Sequence, residues 1–85
     1  MYYEIEIKPK AIKDGKKIKN KKTLQNIFDK IELLSNNLQG NVKHLTNFTP
    51  EYRLRVGDYR ILFEVENDKV IVYRILQRGV VYKKR

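Results

Sequence analysis

The sequence predicts an α+β fold in which an N-terminal strand and two helices pack on one face of a mainly antiparallel, four- to five-stranded sheet. Three patterns support this fold class: an alternating segment at residues 2–7, a helical apolar stripe at residues 23–38, and alternating runs from residue 52 onwards. The stripe is expected to cover the sheet, because a half-apolar sheet needs helices on one face. We expect residues 1–85 to form a single domain with a small core.

The first half of the chain supplies the helices. Pro9 follows the first strand and suits the first turn of a helix, which Gly15 weakens, so we expect this helix to be short. The second helix, at residues 23–38, carries apolar residues at three- and four-residue spacing, and Gly40 is expected to be its C-terminal cap residue. The apolar positions are Leu24, Ile27, Phe28, Ile31, Leu34 and Leu38.

The second half of the chain is predicted to form an antiparallel meander of strands. Residues 42–45 are expected to form an edge strand that includes His44. Gly57-Asp58 separates two alternating runs, the pattern of a two-residue hairpin turn with glycine at the first central position. Asn67-Asp68 then leads into a last strand at residues 69–76, which is apolar on both faces and is therefore expected inside the sheet.

Arginine is confined to this second half. All six arginines lie in the last 35 residues. Pairing outward from the hairpin turn sets Arg55 opposite Arg60, with Arg53 on the same open, concave face and the apolar residues on the other. Directly opposed like charges destabilise a sheet. Either an anion lies between these arginines, since arginine binds phosphate bidentately, or long basic side chains simply solvate the outer face.

Composition narrows the class of partner. The net charge is +9, which favours polyanions, with nucleic acid the first candidate and an acidic protein the second. Eight lysines occupy residues 8–22; Lys16, Lys17, Lys19 and Lys21 are candidate RNA-binding residues, or else a solvated face.

Several classes of protein are disfavoured. The chain contains no cysteine and one histidine, so neither a disulfide framework nor a cysteine- or histidine-rich metal site is expected. No apolar run approaches the roughly 18–20 residues of a membrane helix, and the first residues lack the apolar stretch of a signal peptide. We therefore expect no membrane partner and a cytoplasmic location.

These segments, in this order and spacing, resemble the RelE/ParE superfamily of bacterial and archaeal toxins, and more closely its RelE branch. The resemblance covers nearly the whole chain: the opening strand, two helices, YRLRVGDYRILFEV from residue 52, and the closing motif of Arg78, Val81 and Tyr82. It implies the toxin of a type II toxin–antitoxin system, an endoribonuclease that cleaves mRNA in the ribosomal A site by metal-independent attack of a 2′-hydroxyl. It further implies mRNA and the ribosome as partners, a cognate acidic RelB-like antitoxin, and no small-molecule cofactor.

The resemblance also implies catalytic residues. They are Arg53, Arg55, Arg60, Arg78 and Tyr82. The arginines would stabilise charge on the phosphorane, and we expect Arg60 and Arg78 to be solvent-accessible. Tyr82 would act as the acid, stack on a base or pack structurally. Relatives often have lysine where Arg53 or Arg55 stands and histidine where Gln77 stands, so the general base is Tyr82, ribosomal RNA or absent.

Two other functions stay open on the sequence. One is a non-nucleolytic ParE-like toxin that acts on DNA gyrase, and the other is a degenerate, RNA-binding member of the superfamily. Arg60, Arg78 and Tyr82 together favour the endoribonuclease, because the gyrase-directed branch tends to lack that combination.

Overall fold

Five strands and three helices form within residues 2–47 and 49–81, the part of the chain that this computed structural model describes. In chain order they are β1 (Glu4–Ile7), α1 (Pro9–Lys16), α2 (Lys21–Leu33), β2 (Val42–His44), β3 (Tyr52–Val56), β4 (Tyr59–Glu66), β5 (Lys69–Gln77) and α3 (Arg78–Val81). The sheet order is β1-β5-β4-β3-β2, with β1 parallel to β5 and the other pairs antiparallel. The predicted α+β fold is confirmed, and β5 lies inside the sheet as expected.

The core lies between one face of the sheet and the first two helices. α1 contacts β5 and α2 contacts β3, so the helices cover strands on both sides of β4. This packing is stabilised by the hydrophobic effect, which contributes roughly 25 cal/mol for each Å² of apolar surface removed from water. Among the residues that the structure describes, the largest fully buried side chains are Phe63, Ile27, Ile31, Leu34, Leu54, Ile61, Val70 and Val72. None of the helices in the described residues is long and apolar enough to cross a membrane.

The starts of both helices follow local rules. Pro9 occupies the first turn of α1, as predicted, where its missing N–H costs nothing. α2 begins at Lys21, two residues before the predicted start. The side chain of Asn20 accepts a hydrogen bond from the Thr23 N–H at 3.0 Å and so caps the helix.

The end of α2 differs from the prediction. The helix ends at Leu33, whereas the apolar spacing predicts an end near residue 38. Asn37 and Leu38 have positive φ angles of 58° and 57°, which no α-helix contains. The Tyr3 N–H donates to the Ser35 carbonyl at 2.8 Å, so the chain leaves the helix to pair with the N-terminal segment. Leu38 still packs against the core, which explains why its spacing resembles that of a helix.

Gly40 is therefore not the cap residue of α2. It lies before β2 with a φ of +126°, and a Cβ at this position would approach the side chain of Leu54 to 2.9 Å. Both the backbone angle and the close approach favour glycine here. This glycine does have a backbone role, but the role belongs to the entry into β2 and not to the end of the helix.

The β3–β4 hairpin has the predicted register. Leu54 pairs with Ile61 and Arg55 with Arg60, and Gly57 takes a φ of +57° in the turn. Further along, a register shift between β4 and β5 leaves Tyr73 as the extra residue of a bulge. Bulges bend and twist a strand locally.

Candidate functional site

Four of the five predicted catalytic residues gather near the turn of the β3–β4 hairpin. Arg55 and Arg60 lie directly opposite each other, one pair away from the turn, and Arg53 lies two residues further along β3. The Arg78 N–H donates to the Asp58 carbonyl at 2.8 Å, so α3 begins against the same turn. Antiparallel pairing thus brings residues from three elements to one end of the sheet.

Arg60 is not solvent-accessible, in contrast to the expectation. Its residue exposure is 5%. Its Nη1 donates to the carbonyls of Gly57 at 2.9 Å and Tyr59 at 3.1 Å, so the guanidinium lies against the turn. Because these carbonyl oxygens accept hydrogen bonds from Arg60, a bound anion is not required to explain why two arginines lie opposite each other. Arg60 stabilises the turn around which the other arginines lie.

The sheet face that carries the arginines is also less open than predicted. Leu62 and Ile71 on this face are 4% and 6% exposed. Arg53 is half-buried, and its Nε is buried without a hydrogen-bond partner among the described residues. A buried donor left unpaired costs about 1–3 kcal/mol, so a bound acceptor there would relieve this penalty. The exposed arginines of the group are Arg55 and Arg78.

The acid–base residues are less well defined. Tyr82 lies outside the residues that the structure describes. Gln77 ends β5 as an exposed residue, opposite Tyr59 and next to Arg78, so the position where relatives often have histidine lies at the same end of the sheet. The part of the chain that the structure describes contains no cluster of three or more His, Cys, Asp or Glu side chains suited to a metal ion.

The four candidate RNA-binding lysines lie at the junction of the two helices. Lys16 ends α1, Lys17 and Lys19 lie in the connection, and Lys21 begins α2. All four are exposed. The neighbouring Lys22 lines a cleft of about 340 Å³ together with the hairpin turn. The lysine-rich segment therefore reaches the same end of the sheet as the arginines, although it lies on the helix side.

A partly buried ion pair between α1 and β5 was missed from the sequence. Arg74 donates from Nε and Nη2 to the Asp14 carboxylate at 2.7 and 3.1 Å, and the Ile75 N–H donates to the same group at 3.0 Å. Burial alone would raise the pKa of Asp14, but the hydrogen bonds from Arg74 and Ile75, and the positive charges of Arg74 and Lys17, hold this pKa below its usual range. The available signal was the position of Asp14, three residues after the buried Ala11 on one face of α1.

Comparison with known proteins decides the family. The family model for the ParE toxin of type II toxin–antitoxin systems matches residues 5–82. The chain belongs to the RelE/ParE toxin superfamily. A curated relative, Toxin RelE3 from Methanocaldococcus jannaschii, is 40% identical over 47 residues, which are 55% of this chain and 53% of the relative. The chain thus spans about half the length of the curated relative it matches.

Solved structures of the superfamily share the fold. A chain of the RelB–RelE antitoxin–toxin complex from Methanococcus jannaschii is 30% identical with a TM-score of 0.76, covering 92% of this chain and 95% of that one. A chain of the toxin–antitoxin complex RelBE2 from Mycobacterium tuberculosis has a TM-score of 0.78 at 20% identity, over 92% and 100% of the two chains. The Pyrococcus horikoshii RelE–RelB complex gives 0.74 at 20% identity, over 94% and 99%. This RelE-like toxin therefore has the superfamily fold over nearly its whole length.

Proposed function

We propose that this RelE-like toxin is a ribosome-dependent endoribonuclease that cleaves mRNA in the A site. The observation that carries the proposal is that Arg53 and Arg55 on β3 and the backbone N–H of Arg78 lie at one end of the sheet, around a turn that Arg60 stabilises. Two of these residues are exposed, and a third has a buried donor without a partner among the described residues. This arrangement suits a phosphodiester, which offers several oxygens to guanidinium donors.

The chemistry matches these residues. Attack of a 2′-oxygen on the adjacent phosphorus forms a P–O2′ bond and breaks the P–O5′ bond, leaving a 2′,3′-cyclic phosphate and a 5′-hydroxyl. Negative charge builds up on the phosphorane oxygens, where the guanidinium donors of Arg55 and Arg78 would stabilise it. The Nε of Arg53 supplies a further donor. Tyr82 is the proposed acid that gives its proton to the leaving 5′-oxygen, and the proton of the 2′-hydroxyl passes to a group of the ribosomal RNA.

The proposed partner that controls this activity is an acidic RelB-like antitoxin. The net charge of +9 favours an acidic protein. Among the residues that the structure describes, the large apolar side chains of Tyr2, Ile12 and Leu33 are exposed, at 77%, 43% and 41%, and such residues can serve as anchors of interfaces. The structural neighbours described above come from complexes of RelE with RelB, which supports a partner of the same class.

The experiment that tests the function uses purified toxin, a defined mRNA and ribosomes. We expect cleavage of the mRNA only when ribosomes are present, with products ending in a cyclic phosphate. The same mRNA without ribosomes is the control. Intact mRNA on toxin-treated ribosomes would contradict the proposal.

The second candidate is the inhibition of DNA gyrase, because the matching family model is that of the ParE toxin. Its test is a supercoiling reaction with gyrase and the same toxin preparation. Accumulation of relaxed DNA, together with intact mRNA in the ribosome assay, would favour this function over the endoribonuclease.

A further inference from the structure

A groove lies at the hairpin end of the sheet, on the side of the helices. Its lining does not include the candidate catalytic residues Arg53, Arg55, Arg60 and Arg78. Its first cleft, of about 340 Å³, lies between the start of α2 and the hairpin turn and is lined by Lys22, Thr23 and Asn26. Its second cleft, of about 280 Å³, lies between the end of α1 and β5 and is lined by Lys17, Arg74 and Gln77. Tyr59 lines both clefts, which therefore meet at this residue. We call them together the Tyr59 groove.

Tyr59 is held firmly in this position. It pairs with Val56 across the hairpin and with Gln77 on β5, and it packs against the hydrophobic core. It is only half-buried, so part of the side chain lines the clefts. Strand pairing on both sides fixes the backbone of Tyr59, and packing against the core restrains its ring, so that binding need order the ring less before a base stacks on it.

The charges of the groove suit a base inside and phosphates at its mouth. In the second cleft the Asp14 carboxylate is bonded to Arg74, so the two charges largely cancel. A neutral ligand therefore enters at a lower electrostatic cost than a phosphate. Lys17 and Lys22 are exposed, one in each cleft, and neither belongs to a described ion pair. Lys17 lies near the Asp14 carboxylate, and the exposed Asp58 lines the first cleft with Lys22. The amides of Asn26 and Gln77 offer donors and acceptors to the edge of a base.

The size of the groove limits the ligand. Each cleft is near the lower end of the roughly 300–1,000 Å³ of small-molecule sites. One cleft thus suits a single nucleotide, not a folded segment. Aromatic side chains flanked by basic residues are the usual platform for unpaired bases of single-stranded RNA.

We propose that the Tyr59 groove binds one or two unpaired nucleotides of RNA, with a base against Tyr59 and the phosphates near Lys17 and Lys22. The inference rests on the proposed function in so far as RNA is the partner, but it requires no cleavage. The nucleotides come from the mRNA strand or from an unpaired loop of ribosomal RNA. In either case the groove holds RNA on the helix side of the sheet, opposite Arg53 and Arg55, and so orients the toxin on its substrate.

The test compares Tyr59→Leu with Tyr59→Phe, which keeps the ring, and with Tyr73→Leu, which removes a half-buried tyrosine that lines neither cleft. Binding of a short labelled single-stranded RNA and of vacant ribosomes is measured at high salt. Counterion release then contributes less to the affinity, and contacts with the base contribute relatively more. We expect Tyr59→Leu to weaken binding at least about fivefold, and the two controls to bind like wild type. Weaker binding of Tyr59→Leu to the free RNA strand would identify mRNA as the source of the nucleotides. Weaker binding to ribosomes alone would identify ribosomal RNA. Wild-type binding of a folded Tyr59→Leu variant to both would overturn the proposal.

A second measurement on the wild-type protein covers the case in which Tyr59→Leu does not fold. Adenosine 5′-monophosphate is titrated into isotope-labelled toxin, and the side-chain amide signals are followed by NMR. We expect shifts at Asn26 and Gln77 but not at Gln39, an exposed residue outside the groove. Equal or absent shifts at all three would overturn the proposal. Because neither readout involves cleavage, a failed ribosome assay would leave this result interpretable.

Discussion

Arg60 and Arg78 lie close together in the fold, yet their surroundings give them different roles. Arg60 is buried against the hairpin turn and donates to two carbonyls, whereas Arg78 is exposed at the start of α3. The register that opposes Arg55 and Arg60 could be predicted, because side chains alternate along a strand and the turn fixes the pairing. The rotation of Arg60 onto the turn could not, because it depends on a side-chain conformation that alternation does not specify.

We expect Arg60→Ala to lower the free energy of unfolding by about 1–3 kcal/mol, because it removes hydrogen bonds from a charged donor and leaves two carbonyls without that partner. Arg55→Ala is the matched control, since Arg55 occupies the opposite position of the register but is exposed. It should change stability by no more than about 0.5 kcal/mol. Denaturant unfolding of both variants measures the difference. Equal stabilities would show that the contacts of Arg60 with the turn contribute nothing.

At the scale of elements, local signals predicted the strands and turns better than the end of α2. The apolar spacing continues through Leu38, but the chain leaves the helix after Leu33 to pair with the N-terminal segment. That pairing joins residues more than thirty positions apart, and no local pattern encodes it. The ion pair of Asp14 and Arg74 was missed for the same reason, since it joins α1 to a strand far along the chain.

The ion pair leads to a pH-dependent prediction. The pKa of Asp14 is lowered in the folded toxin, so its contribution to stability is present above its ordinary pKa of about 3.9 and is lost as the pH falls through the lower folded-state value. We expect Asp14→Asn to lower stability by about 1–3 kcal/mol at neutral pH. The difference from wild type should shrink below about pH 4. Unfolding curves at several pH values test this, with the exposed Asp29→Asn as control. A difference that stays constant down to the lowest pH would contradict the account.

The helix junction leads to a prediction about salt. Replacing Lys16, Lys17, Lys19 and Lys21 with glutamine should flatten the dependence of log affinity for single-stranded RNA on log salt. The expected change in slope is about 0.7 for each phosphate that the variant no longer neutralises. Lys30→Gln is the control, because it removes a lysine in the last turn of α2 and leaves the helix junction unchanged. An unchanged slope in the fourfold variant would mean that these lysines only solvate the surface.

At the scale of the whole molecule, the main feature is the excess of positive charge. The chain carries 19 basic and 10 acidic residues, and basic groups occur on both the arginine side and the helix junction. Such a charge favours polyanions of every kind, so charge alone does not select a partner. In the proposals made above, selection comes from particular contacts: the exposed Tyr2, Ile12 and Leu33 for a protein partner, and Tyr59 for RNA.

We expect this toxin to form a stable complex when it is co-expressed with an acidic, helix-rich product of a neighbouring gene. Complementary charge should make association fast, and added salt should slow association more than it speeds dissociation. Size-exclusion chromatography and surface binding kinetics measure both effects. A toxin that elutes alone at low salt and stays equally active in the presence of that product would contradict the proposed control.

The most direct test of the central claim maps mRNA ends on ribosomes that hold a defined codon in the A site. The comparison is between the wild-type toxin and Arg78→Ala, whose side chain is exposed, so that the substitution should leave stability nearly unchanged. The account predicts cleavage within the A-site codon by wild type, and cleavage slower by at least about tenfold, or about 1.4 kcal/mol, in an equally stable Arg78→Ala variant. Wild-type rates in that variant, or no ribosome-dependent cleavage by the wild-type toxin, would contradict it.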